Sequence, residues 1–391
     1  MKKYLFVLGI LLASTDCTLA ETGTYGDYLN PKSSNTISNN RINAIAEDAQ
    51  GHIWLGTFRG LNKNAVHEYH QYFCTEDSLS IPDNQIQALH KDSRGRLWVA
   101  TVNGICRYTD KDNFKRVTCE GLRDKNFTQI IEDKSGRLFA YSMPFFCQYN
   151  PAKDGFEKII ESPFSFNSKA FISPSDEFWF VCGDKMLHYS GTTMQMRDSL
   201  SLDFFASNSY MTDSGHIWLF GYDRTMVYDT NTGRYMSDPD FFERHPRFAG
   251  SHVNIAHPYT DGCSILLSTE KNGMFLYNSK SRSLIHQSES TFPFEVPDFI
   301  INTIFTDSQD NIWFGSYDQG VAVHYSYKKR FNNNSFLCSA LDKKSVTYIQ
   351  CDSKGNVWIN TLNDGLYLYD AESKSIAKMD LSTVFPEFQN H

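Results

Sequence analysis

Seven side chains able to grip a polar ligand recur at one point of a repeating pattern, just after a short strand-like run: Arg59 in GTFRGL, Asn103 in ATVNGI, Tyr222 and Arg224 in FGYDRT, Asn272 in EKNGM, and Asp318 and Gln319 in SYDQGV. Guanidinium, carboxamide and carboxylate groups supply planar donors and acceptors for vicinal hydroxyls, and aromatic faces cover the apolar side of a sugar ring. Asn, Asp and Gly are also the default turn formers, so any one of these residues alone reads as turn chemistry. Together they make a ligand-binding set. Catalytic and cofactor signatures are thin, and no catalytic residue, cofactor or metal is expected. No two glycines stand two apart, which excludes a G-x-G-x-x-G dinucleotide loop, and no G-x-x-x-x-G-K phosphate loop occurs. His67, Glu68 and His70 lack the His-Glu-x-x-His spacing of a zinc helix, and an alternating strand would put His67 and Glu68 on opposite faces.

What must position the seven is a repeat. INAIAEDAQGHIWLGTFRGL, from Ile42 to Leu61, returns from Ile86 to Ile105 and again from Phe127, where Asp133, Gly136 and Phe139 take the places of Asp, Gly and Trp. Aligned on the Trp, the anchors are Trp54, Trp98, Phe139, Trp179, Trp218, Leu266, Trp313 and Trp358, at intervals of 39 to 48 residues. A four-stranded propeller blade takes about 40–45. Each Asp-x-x-Gly suits a tight hairpin, turn residues recur about every ten positions, and no long 3.6-residue apolar period intervenes. The expected fold class is all-β, a propeller of about eight four-stranded units, with the anchors packing between blades rather than binding anything. Units four to six are degenerate: Ser173 and Thr212 replace the turn Asp, and Asp176 replaces the Gly.

In a propeller whose unit begins with the innermost strand, the turn between second and third strands faces the same way as the link into the first strand. One face therefore gathers Thr57, Phe58 and Arg59, Asn103, Asp184 and Lys185, Tyr222 to Arg224, Asn272, and Tyr317 to Gln319 from the turns. The links add Asn39, Asn40 and Arg41, Asp83 and Asn84, Lys125 and Asn126, and Asp298.

The chain has 391 residues, 41% of them hydrophobic and 15% aromatic, with a net charge of -8. That mild acidity argues against a nucleic-acid partner, which leaves a basic footprint. The one basic run, Lys328 to Arg330, reads as a solvated edge. Residues 1–20 hold Lys2 and Lys3, an apolar run from Tyr4 to Ala13 and small residues at Thr18 to Ala20, the pattern of an export signal. Cys17 as a lipid-attachment site is the weaker reading, since Asp16 precedes it. No other apolar run reaches the ~18 residues that cross a bilayer. Eight cysteines follow the signal, none in Cys-x-x-Cys spacing, and they read as free core thiols.

The combination I-x-x-I-x-x-D-x-x-G-x-[IL]-W-[LIVF]-[GA]-T, then Gly and an aliphatic residue, closely resembles the two-component regulator propeller repeat over about residues 37 to 370. The resemblance implies the extracytoplasmic, periplasmic sensor region of a hybrid two-component regulator that controls polysaccharide use. In such proteins two propellers, usually seven-bladed, and an immunoglobulin-like domain precede a membrane helix, a kinase and a DNA-binding domain. It further implies an oligosaccharide ligand, a membrane connection only through C-terminal parts that this sequence does not contain, and homodimers of the full-length sensor. On this view residues 21–330 form a seven-unit propeller and residues 331–391 an eighth unit that opens a second ring; a single eight-bladed ring is the alternative. Two other functions stay open: a protein-interaction propeller, and a secreted glycan hydrolase or lyase, for which Asp213-Ser-Gly215-His-Ile-Trp218 resembles the Asp-box of sialidases, itself a structural turn.

Overall fold

The computed structural model describes residues 36–379 apart from 66–67, 110, 143, 162–167, 223, 237–243, 249, 327–339, 342–343, 363, 371 and 374. The expected export signal, His67, Lys328 to Arg330 and Cys338 lie outside the described residues. Those described form eight antiparallel sheets in which sequence neighbours pair, six with four strands and two with three. The first sheet, of Ile42–Glu47, Ile53–Thr57, Gly60–Ala65 and Glu68–Tyr72, sets the pattern. The architecture is the all-β propeller type that the repeat predicts. In the fourth sheet the stretch Phe178–Tyr189 turns back at Gly183, whose φ is 66°: the Trp179 and His188 rings stack 4.2 Å apart, which an extended strand of that length would forbid. The turn expected at Asp184 and Lys185 is therefore present, beginning one residue earlier at Gly183.

The turn aspartates do more than start hairpins. Asp48 Oδ1 accepts the backbone N–H groups of Gln50 and His52 at 3.0 and 2.9 Å, and its Oδ2 accepts the Trp54 indole N–H at 2.8 Å. Asp92 with Trp98 and Asp307 with Trp313 repeat the indole bond at 2.8 Å. The spacing of six thus couples the first hairpin to the blade anchor, and leaves the buried indole donor satisfied. Burial pushes the Asp48 and Asp92 carboxyls up, but the indole and backbone donors outweigh it, so both pKa values lie below the ordinary 3.8. In the third sheet, which has Phe139, Arg137 and Ser135 take the free carboxylate valences of Asp133. Asp176, in the place of the turn glycine, adopts φ 58°, a left-handed conformation Asp tolerates.

Seven anchors are buried: Trp54, Trp98, Phe139 and Leu266 fully, and Trp179, Trp218 and Trp313 nearly so. Four of them pack onto a tyrosine of the next sheet: Trp54 on Tyr108, Trp98 on Tyr149, Trp179 on Tyr228 and Trp218 on Tyr277, with centroids 4.6 to 5.2 Å apart. Trp358 is only half-buried.

The chain divides into two compact units, whose described residues fall within 36–324 and 325–379. Within the first, neighbouring sheets are tied by recurring bonds. Asn43 Nδ2 on the first strand of sheet one donates to Ile86 O of sheet two at 2.7 Å, as Gln129 does to Ala170 O and Asn208 to Val253 O. Asn302 of sheet seven donates to Ile42 O of sheet one at 2.7 Å. Likewise Ser93 donates through its N–H and Oγ to Glu132 of the next sheet, and Ser308 of sheet seven does so to Glu47 of sheet one. The second unit contains the eighth sheet, Val346–Cys351, Val357–Thr361, Gly365–Asp370 and Ser375–Lys378, whose Tyr348 and Leu362 are exposed. Among the described residues no helix is long and apolar enough to cross a membrane. Cys106, Cys119 and Cys147 are buried free thiols; Cys74, Cys182 and Cys263 are half-buried and Cys351 exposed, so only part of the set lies in the core.

Candidate functional site on the turn-and-link face

The Thr-x-x-Gly signature builds the turns that carry the candidate residues. Thr57 Oγ1 donates to Gly60 O at 2.8 Å and accepts the Arg59 N–H at 3.0 Å; Thr101 does the same for Gly104 and Asn103. Gln319 N–H likewise donates to Ser316 Oγ, and Asn272 N–H to Thr269 Oγ1. Each turn is then locked to the links beside it. Phe58 N–H donates to Arg41 O and Tyr317 N–H to Ile300 O, while Gly60 and Gly104 donate across to Asn84 O and Lys125 O of the following sheet. Turns and links therefore share one face, and the hydroxyl–glycine bond leaves the side chain between them pointing outward.

The seven candidates fall into three places. Arg59, Asp318 and Gln319 are exposed on the turns of the first and seventh sheets. Between those turns lies Arg41, its Cζ 4.4 Å from the ring centre of Tyr317 and 5.2 Å from that of Phe58. Tyr222, 62% exposed, stacks on His252 with centroids 5.2 Å apart in the link to the sixth sheet. Asn272 reaches the same link, donating to Ser251 Oγ at 2.7 Å, so its carboxamide is engaged in bracing. Arg224 pairs with Asp203 at 2.6 Å. Asn103 stands apart from both groups, on an open groove with Pro82, Arg116 and Lys125.

Sequence reasoning placed Arg41 on this face without counting it in the binding set, and did not place His252 at all. Both precede a first strand, and the signal that marks them is position in the link rather than type. A further cation, Lys169 on the first strand of the fourth sheet, donates to Asn208 Oδ1 at 2.7 Å and Ser209 O at 3.3 Å. Burial lowers its pKa to about 8. The face thus offers stacking surfaces, guanidinium and carboxamide donors, and carboxylate acceptors.

Residues 36–59 and 80–103 match the two component regulator propeller repeat. Comparison with curated proteins gave no match. Among solved structures, the chain is similar to the extracellular domain of the putative hybrid two component system BT3049 from B. thetaiotaomicron, with TM-score 0.60, 19% identity, and coverage of 88% of this chain and 48% of that one. The corresponding domain of BT4673 from the same organism gives TM-score 0.60 and 15% identity over 78% of this chain and 43% of that one. This chain thus spans about half the length of those two structures. A streptogramin B lyase structure matches with TM-score 0.57 and 12% identity, over 77% of this chain and 97% of that one. The chain carries two component regulator propeller repeats, in a fold it shares with extracellular domains of hybrid two-component systems.

Proposed function

We propose that this chain is the ligand-recognising propeller region of an extracytoplasmic sensor of the hybrid two-component type, and that it binds an oligosaccharide on the turn-and-link face without turning it over. The observation that carries the reading is the clustering on one face of exposed aromatics, Phe58 at 44%, Tyr317 at 51% and Tyr222 at 62%, among arginine, carboxamide and carboxylate side chains. Exposed aromatics beside planar polar groups suit a sugar ring. In this proposal residues 1–20 direct export to the periplasm, residues 21–330 make a seven-bladed ring, and residues 331–391 begin a further propeller. The bonds from sheet seven to sheet one support the ring.

Calorimetry of the purified chain against plant, host and microbial oligosaccharides tests the proposal. Saturable binding with no release of reducing sugar or unsaturated product is expected. Turnover of a bound glycan would favour the hydrolase or lyase reading, to which the fold of the streptogramin B lyase is an analogy only. A folded sample that binds no glycan would refute binding by this chain.

A further inference from the structure

We infer that the seam between the first and seventh sheets receives an acidic sugar, with Arg41 taking its carboxylate or sulfate and the Phe58 and Tyr317 rings flanking the site. The inference rests on the oligosaccharide reading above and adds the class of saccharide.

Arg41 differs from its peers. Five described arginines are half-buried, and four of them meet a carboxylate at 2.6 Å: Arg96 with Asp92, Arg107 with Asp154, Arg137 with Asp133 and Arg224 with Asp203. Arg41 has no carboxylate within ion-pair distance among the described residues, and its covered Nε has no acceptor. A partly desolvated cation without a counter-charge is costly, and a bound anion would relieve the cost. The Phe58 and Tyr317 rings beside the guanidinium restrict where it can go, and its planar fork matches a carboxylate or sulfate.

The surroundings favour the same ligand. Arg59, two residues from the Thr57 that shapes its turn, is exposed and adds positive charge without an ion pair among the described residues. Asp318 on the facing turn is exposed and pairs with neither arginine, so the Arg41 charge stays uncompensated. Phe58, Tyr317 and Ile300, the last 46% exposed, give the apolar surface that a pyranose ring needs beside its charged substituent. A free inorganic anion would have no use for that surface.

The test is calorimetry of the full chain with oligogalacturonides, sulfated galactan oligosaccharides and neutral galacto-oligosaccharides, at low and raised salt. The expected result is binding of one acidic series in preference to the neutral one, weakened by salt and weakened about tenfold or more by Arg41→Gln. Arg41→Lys keeps the charge but loses the planar fork, and is expected to bind with intermediate affinity while melting as the unaltered protein does. Whether the carboxylated or the sulfated series binds decides between the two anions. Equal affinity for neutral and acidic series, or acidic binding that both variants leave intact, would overturn the inference and leave the oligosaccharide reading standing. No binding in any series would overturn the inference too, and leave the oligosaccharide reading to the wider screen.

Discussion

The Gly320 N–H, at the end of the seventh sheet's outward turn, donates to Asn40 O at 2.9 Å, the bond that Gly60 makes to Asn84 and Gly104 to Lys125 between consecutive sheets. Residues 280 positions apart are thus joined as ordinary neighbours. The hydrogen bonds of Asn302 and Ser308 to sheet one repeat the equivalence at two other levels. Linking the seventh sheet to the first covers the outer faces of both within residues 36–324.

That equivalence can be measured. Glu47→Ala removes the acceptor of Ser308, and Glu132→Ala removes the acceptor of Ser93. Each is expected to lower stability by about 0.5–1.5 kcal/mol in denaturant unfolding, the net worth of hydrogen bonds whose donors can turn to water instead. A negligible cost for Glu47→Ala beside a normal cost for Glu132→Ala would mean that sheets one and seven separate in solution.

The indole–carboxylate bond separates two contributions of the anchor. Trp54→Phe keeps most of the packing on Tyr108 and loses the bond to Asp48, an expected cost of about 1–3 kcal/mol. Trp54→Ala also opens a cavity and is expected to cost about 3–5 kcal/mol. Equal losses in the two variants would assign the whole effect to the hydrogen bond.

Stability should change with pH at both ends of the range. Asp48, Asp92 and Asp133 have folded pKa values below 3.8, so the unfolded chain binds protons first as pH falls, and stability is lost below about pH 4. Lys169 has its folded pKa lowered to about 8 from 10.5, so between those values the unfolded chain holds more protons and stability rises with pH. Lys169→Met should flatten that alkaline rise in a melting-temperature series. An unaltered slope would show that the ammonium is solvated in the folded protein.

Much of this was legible in the sequence, for reasons that particular residues show. Turns and anchors are local: Asp48, Gly51 and Trp54 lie within seven positions of one another and repeat, so spacing alone indicates hairpin, blade and fold. The Asp48–Trp54 bond was hidden because a turn aspartate needs no distant partner to explain it. Arg41 was placed on the right face, but its contact across the face was hidden for a different reason. Its stacking partner Tyr317 is far away in sequence, and only the contact of sheet seven with sheet one brings them together. The turn at Gly183–Asp184 was readable even though the fourth unit lacks the turn aspartate, whereas the half-buried state of Trp358 depends on what surrounds the eighth sheet.

Arg59, Arg224 and Asp318 are expected to matter for ligand rather than fold. Arg59→Ala and Asp318→Ala should each change stability by no more than about 0.5 kcal/mol. Arg224→Ala should cost no more than about 1 kcal/mol, since its pair with Asp203 is largely exposed. Affinity for a glycan identified by calorimetry should fall by about 1–3 kcal/mol for those that touch it. A lower melting temperature with unchanged affinity would make these side chains structural.

The most direct test compares the two faces. A variant combining Arg59→Ala, Tyr317→Ala and Asp318→Ala removes side chains from the turn-and-link face, and one combining Gln50→Ala with Arg94→Ala removes exposed side chains from the Asp-x-x-Gly turns on the opposite face. With a glycan bound by the unaltered chain, calorimetry should show binding abolished in the first variant and preserved in the second, with both folded. Binding preserved in the first and lost in the second would contradict the account.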